Sequence, residues 1–198
     1  MPCPYHVHYF LSPQGKGTRE KNMNRKELAS QIYSVSHIFG NFKLRSGQMS
    51  NEYFDKYLFE ADPKLLKEIA NQMSKLIPAG TEVLAGLEMG AIPLAAALSL
   101  KTGLPAAFVR KKTKEYGTAK FAEGTDVRDK QVCIIEDVVT TGGQIVLSAT
   151  DLKTLGARIK YVLCVIERDP KSREILGKEG LELRSLFTME ELTPDKSK

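Results

Sequence analysis

Five apolar runs set the rhythm of most of this 198-residue chain: EVLAG (82–86), PAAFV (105–109), QVCIIED (131–137), YVLCVIE (161–167) and LRSLF (183–187). Four of them lead into helical stretches, AIPLAAALSLKTG (91–103), QIVLSATDLKTLGA (144–157), SREILGKEG (172–180) and TMEEL (188–192). A strand that is apolar along most of its length has no face to give to water. Alternation with helices supplies the cover, so the pattern predicts an α/β fold: a doubly wound, mainly parallel sheet flanked by helices. PAAFV leads instead into a polar segment, about Lys111 to Lys130, that holds Gly117, Gly124 and many charges. Loops of that length in compact domains tend to be functional lids.

Ahead of the alternating region, Leu28, Ile32, Val35, Ile38 and Phe39 recur at helical spacing between Asn24 and Phe39, which predicts one amphipathic helix ending at Gly40. Two aromatic-rich runs around a polar Ser-Gly-Gln-Met-Ser-Asn centre follow in NFKLRSGQMSNEYFDKYLF, a hairpin pattern. Asp62-Pro63 then reads as a cap and first turn, opening a helix through Leu65, Leu66, Ile69, Met73 and Ile77 to Pro78. A small N-terminal helix and hairpin thus sit as a hood on the sheet. Residues 1–22 lack an apolar stretch long enough for a signal peptide and are expected to be a disordered extension, with residues 23–198 as a single domain. His6 and His8 lie in that extension without further ligands and are not read as a metal site.

Hydrophobic residues at 42% and charged residues at 27% describe an ordinary globular domain, and no run approaches the roughly 20 apolar residues of a membrane span. Cys3, Cys133 and Cys164 have no metal-ligand spacing, and the last two lie in apolar strands, so they read as reduced core thiols of a cytoplasmic protein. Of the net charge of +5, the extension carries Lys16, Arg19 and Lys21 against Glu20, which leaves +3 for the body. An excess this small suits an anionic small molecule as well as nucleic acid, so location decides. The densest cluster is RKKTK, Arg110 to Lys114, in the predicted lid.

Chemistry concentrates in VCIIEDVVTTGGQ, residues 132–144. Ligands of parallel α/β sheets bind beyond the carboxyl ends of the strands. Glu136 and Asp137 close such a strand, and two adjacent carboxylates need a cation or hydroxyls to compensate them. Thr140, Thr141, Gly142, Gly143 and Gln144 lead directly into a helix. Small residues admit a ligand to the backbone, threonines donate hydrogen bonds, and free amides at a helix start attract an anion. The stretch reads as a phosphate cradle beside a carboxylate pair suited to sugar hydroxyls. No G-x-x-x-x-G-K-[ST] occurs and no G-x-G-x-x-G follows a strand, which removes P-loop nucleotide hydrolysis and dinucleotide binding.

This stretch resembles the phosphoribosyl diphosphate signature of type I phosphoribosyltransferases. Three others narrow the resemblance to the orotate phosphoribosyltransferases: FKLRSGQMSNEYFD (42–55) is similar to their N-terminal segment, VRKKTKEYGTAK (109–120) to their mobile catalytic loop, and ERD (167–169) stands where they carry an orotate-binding arginine. The resemblance implies transfer of the phosphoribosyl group from phosphoribosyl diphosphate to orotate, with Mg²⁺, in pyrimidine biosynthesis. It implies catalytic roles for Lys114, Glu136 and Asp137. Substrate contacts are implied for Arg45, Tyr53, Phe54, Arg110, Lys111, Tyr116, Arg168 and the loop from Thr140 to Gln144. Mg²⁺ is held mainly by the diphosphate, with no direct protein ligand. A homodimer is implied, in which the loop of residues 110–125 reaches the neighbouring subunit's site, with neither nucleic acid nor membrane as a partner.

Three positions depart from the family pattern: Tyr116 where many members have histidine, Met89 where others have lysine, and Glu136-Asp137 where Asp-Asp is frequent. Two other readings are compatible with the residues. One is a type I phosphoribosyltransferase for another base; the second is a regulator that senses phosphoribosyl diphosphate and binds nucleic acid.

Overall fold

The computed structural model describes residues 23–44, 47–111 and 121–193. Asn24 starts the first helix by a reciprocal cap, its side chain accepting from the Glu27 amide while Glu27 accepts from the Asn24 amide, both at 2.9 Å. Helix α1 (Arg25–Ser36) ends earlier than its apolar spacing suggests. At His37 the chain becomes strand β1 (His37–Lys43), paired antiparallel with β2 (Met49–Phe54). Ile38 and Phe39 therefore belong to the hairpin, and Phe39 is 77% exposed. Pairing with β2 overrides a helical periodicity that two further apolar residues would have extended.

Helix α2 (Lys56–Ala61) follows, capped by Asp55, so the YLF run is helical and the second arm of the hairpin stops at Phe54. Helix α3 (Pro63–Met73) begins as expected, with Asp62 accepting from the Lys64 and Leu65 amides at 2.8 and 3.1 Å. Its α-helical part stops at Met73 and a 3-10 turn (Ser74–Leu76) carries the chain on.

The remaining elements are β3 (Val83–Leu87), α4 (Ala91–Thr102), β4 (Ala106–Val109), β5 (Ala122–Gly124), β6 (Gln131–Val139), α5 (Gly143–Thr154), β7 (Arg158–Glu167), α6 (Lys171–Lys178), β8 (Glu182–Thr188) and α7 (Met189–Leu192). The sheet order is β5-β4-β3-β6-β7-β8. All neighbours are parallel except β5, a short antiparallel edge strand formed inside the segment read as a loop. The doubly wound, mainly parallel sheet with its hairpin hood is as expected.

Alternate residues of β6 feed two cores. Cys133 and Ile135 pack with α1, α3, α4 and α7; Val132 and Ile134 pack with α5 and α6. Phe59 of α2 and Phe187 of β8 are wholly buried in the first core, each contributing roughly 1.5–3 kcal/mol relative to exposure. Gly86 lets α4 lie against β3, because a β-carbon there would fall 2.6 Å from the Ala91 carbonyl oxygen. Cys133 and Cys164 are buried, and burial pushes the Cys133 thiol up to about 12. No helix among the described residues is long and apolar enough to cross a membrane.

Candidate active site

From β3 the chain steps outward to β4, then returns to place β6 on the other side of β3. The sheet's switch point is therefore the gap between the carboxyl ends of β3 and β6, where open α/β sheets bind their ligands. Two loops meet there: residues 88–90 after β3, and Thr140 to Gly142 after β6.

The first loop passes directly over Asp137. Its Glu88–Met89 peptide is cis, and Gly90 lies so close to Asp137 that a β-carbon would fall 1.6 Å from Oδ2. Glu88 is tied sideways: its amide donates to the Val109 carbonyl at 2.8 Å, and its Oε2 accepts from the Lys111 amide at 3.1 Å. Met89, in the place of the family's lysine, is 58% exposed.

Glu136 and Asp137 are not equivalent. Asp137 is completely buried; its Oδ2 accepts from Lys56 Nζ and its Oδ1 from the Val138 amide. Glu136 is half-buried. Burial, and then the Asp137 carboxylate beside it, raise the Glu136 carboxyl well above its ordinary range. A carboxyl in that state gains most from a positive charge arriving nearby. A third acid, Glu60 of α2, stands behind the pair at 6% exposure, and desolvation followed by repulsion from Asp137 pushes it up to about 9. Burial works against the Lys56 ammonium, yet its hydrogen bond to Asp137 and attraction to both acids of β6 leave its pKa raised.

After β6 the exposed Thr140 and Thr141 lead to Gly142, whose φ of +81° is left-handed and whose β-carbon would press on Leu176 at 3.1 Å. Helix α5 starts there with no side-chain cap and no acidic residue in its first turn. Its first backbone bond runs from the Val146 amide to the Gly142 carbonyl at 3.0 Å, so the amides of Gly143, Gln144 and Ile145 have no acceptor within the helix. Space above Gly143 is open, the nearest atom to a β-carbon being Thr141 Oγ1 at 3.9 Å. Bare amides, an uncompensated dipole and open space make an anion site.

Arg168 is exposed at the end of β7, its amide donating to the Val139 carbonyl at 2.8 Å beside the threonine loop. The preceding Glu167 is buried and held by Arg173 through Nε and Nη2 at 2.7 and 2.6 Å, which pins α6 to this strand end. Arg110 pairs with Glu123 at 3.6 Å and its amide donates to the Phe121 carbonyl at 3.0 Å, which brings Arg110 and Phe121 side by side. Lys111 is exposed. Tyr53 lies on the hairpin with its ring 5.5 Å from that of Phe42, whereas Phe54 packs against the first core. Arg45, Lys114 and Tyr116 lie outside the described residues. Among the described residues no three His, Cys, Asp or Glu side chains converge as a metal cage.

A phosphoribosyl transferase domain is matched over residues 59–179. Orotate phosphoribosyltransferase from a Nocardioides species is 50% identical over 165 residues, covering 83% of this chain and 92% of that protein. The chain belongs to the orotate phosphoribosyltransferase family. The Methanocella arvoryzae member is 46% identical, with 84% and 94% covered. Among solved structures, Mycobacterium tuberculosis orotate phosphoribosyltransferase in complex with 5-phospho-α-D-ribosyl 1-diphosphate superimposes with a TM-score of 0.73 at 27% identity, covering 85% of this chain and 98% of that one. An adenine phosphoribosyltransferase from Leishmania tarentolae shares the fold alone, at 15% identity and a TM-score of 0.61.

For this orotate phosphoribosyltransferase family member, sequence reasoning missed Lys56 and Glu60. The requirement that something cationic compensate the acidic pair was visible. Its source was not, because Lys56 lies 81 residues away in the hood.

Proposed function

We propose that the chain transfers the phosphoribosyl group of phosphoribosyl diphosphate to N1 of orotate, giving orotidine 5'-monophosphate and pyrophosphate in pyrimidine synthesis in the cytoplasm. The observation that carries the reading is the uncapped start of α5 next to Glu136, at the switch point of a sheet whose sequence relatives are orotate phosphoribosyltransferases.

In this reading the amides of Gly143, Gln144 and Ile145, with Thr140 and Thr141, hold the 5'-phosphate of the ribose. Glu136 and Asp137 face the sugar and accept from its two free hydroxyls. As the C1–diphosphate bond breaks, its electron pair leaves with pyrophosphate and positive charge spreads over the ring carbon and oxygen. The raised Glu136 carboxyl gains from that charge, so its contribution grows toward the transition state. Orotate N1 supplies the electron pair of the new bond, and its proton leaves to the departing pyrophosphate or to water. Arg168 has the fork geometry for the orotate carboxylate, with Tyr53 and Phe54 along the base.

Arg110, Lys111 and Lys114 supply positive charge to the diphosphate, Arg45 contacts the diphosphate side or the base, and Tyr116 contacts substrate where many relatives have histidine. Mg²⁺ fits this arrangement as a cation that arrives on the diphosphate, since the carboxylates nearby are engaged by an ion pair and by the sugar. When bound, it neutralises the leaving group. The protein is a homodimer in which the lid reaches the neighbouring subunit's site from between Lys111 and Phe121, since the end of the expected 110–125 loop is held in its own sheet by the pairing of β5 with β4.

A steady-state assay of orotate consumption with Mg²⁺ and phosphoribosyl diphosphate tests this, with Lys114→Ala as the control for lid charge. The variant is expected to lose orders of magnitude in turnover while keeping its fold; wild-type-like turnover would remove Lys114 from catalysis.

A further inference from the structure

Asp137 is the most deeply buried acid of the site, and the groups that touch it come from three parts of the chain. Lys56 Nζ, from α2, donates to Oδ2. The Val138 amide donates to Oδ1. Gly90, after β3, closes over Oδ2, and a β-carbon there would also lie 2.9 Å from Glu60 Oε1, so both acids crowd the same point. Glu60 Oε1 is buried and accepts no hydrogen bond among the described residues. Two carboxylates packed this way would repel, and one oxygen would be left without a donor. The arrangement balances if Glu60 carries a proton and donates it to Asp137, while Lys56 supplies the positive partner.

We propose that Lys56 and Glu60 are positioning residues for Asp137: together with the Gly90 backbone they clamp the end of β6 and so set where the Glu136–Asp137 pair stands against the sugar. The clamp rests on the reading of the chain as an orotate phosphoribosyltransferase. It assigns a purpose to α2, which ties the chain after the hairpin to the end of β6 through one ion pair. Losing the ammonium would leave a buried carboxylate uncompensated beside Glu136, and the end of β6 would have to move.

Among the described residues, charge in the clamp is confined to few groups. From α2 and its cap, Asp55, Lys56 and Tyr57 act on it; from β6, Glu136 and Asp137 do. In the loop after β3, the Glu88 carboxylate is turned to the Lys111 amide. On α3, Glu68 is engaged by Asn71 and Gln72, and on α1, Arg25 by Glu191 and Glu27 by Asn24. Ionisation of Glu60 therefore adds a negative charge against Asp137, with Lys56 as the cation among the described residues that offsets it.

The test measures kcat and KM for orotate against pH in wild type, Lys56→Met, Lys56→Arg and Glu60→Gln. Absence of orotate turnover in wild type would refute the functional reading itself and is distinct from failure of the clamp. Given turnover, Lys56→Met is expected to lower kcat by about tenfold to a hundredfold, the cost of a small misplacement at a reacting centre, with KM for orotate little changed and most of the rate restored in Lys56→Arg. Wild-type kcat is expected to fall as pH rises through about 9, where Glu60 ionises, and in Glu60→Gln that fall is displaced into the lysine range. A Lys56→Met enzyme as fast as wild type, a Lys56→Arg enzyme no faster than Lys56→Met, or an alkaline fall that survives unchanged in Glu60→Gln would each overturn the clamp. If Lys56→Met does not fold, Lys56→Arg and Glu60→Gln decide by the alkaline limb alone.

Discussion

Gly90 and Asp137 are in direct contact, so close that a β-carbon on residue 90 would lie 1.6 Å from Oδ2 and 2.8 Å from Cγ. The glycine thus couples the loop after β3 to the acidic end of β6. Gly90→Ala is expected to destabilise the fold by about 1–3 kcal/mol through overpacking, and to lower kcat roughly a hundredfold because the strand end must shift. Urea denaturation and steady-state kinetics check both; a variant with wild-type stability and rate would mean that the two loops do not touch.

Glu60 gives stability a pH dependence of definite sign. Burial, then Asp137, moves its carboxyl from about 4.5 to about 9, so between those values the folded protein keeps a proton that the unfolded chain has released. Its stabilising contribution is full below about pH 4.5, declines as pH rises through the window, and is gone above about 9. Glu60→Gln stays neutral throughout. The stability of wild type relative to this variant, from urea midpoints across the window, is expected to fall steadily with pH; a constant difference would contradict the assignment.

Arg173 compensates a carboxylate that water cannot reach. Glu167 has a side-chain exposure of 2% and takes both a bidentate bond from Arg173 and one from Ser185 Oγ at 2.9 Å. Arg173→Met leaves that charge unpaired and is expected to cost about 3 kcal/mol, the lower end of the range for broken buried pairs because the guanidinium itself is half in water. Thermal and urea unfolding would read the loss. Stability within experimental error of wild type would show that Glu167 is solvated by another route.

Gly142 carries the turn into α5 in a left-handed conformation, against Leu176. Gly142→Ala is expected to cost about 1–2 kcal/mol in backbone strain and to raise KM for phosphoribosyl diphosphate more than KM for orotate, since the displaced amides are those that hold the phosphate. Equal changes in the two KM values would separate this loop from the phosphate.

The sheet was legible because its strands are buried on both faces and carry their signal in consecutive apolar residues such as Val132 to Ile135. The cap at Asp62 and the glycine turn before α5 were legible because their chemistry is local. Where long-range pairing decides, the sequence misled: Ile38 and Phe39 fit a helical stripe, yet pair with Tyr53 and Glu52 across the hairpin. The unequal fates of Glu136 and Asp137 were hidden for the same reason. Adjacent residues of one strand look alike until Lys56, Glu60 and Gly90 arrive from other elements.

The central claim is tested most directly by offering the purified protein Mg²⁺, phosphoribosyl diphosphate and, in separate reactions, orotate, uracil, adenine, guanine and hypoxanthine, and following each base together with pyrophosphate. Orotate alone is expected to be consumed, with orotidine 5'-monophosphate and pyrophosphate formed in equal amounts. Orotate left intact while another base is converted would contradict the account.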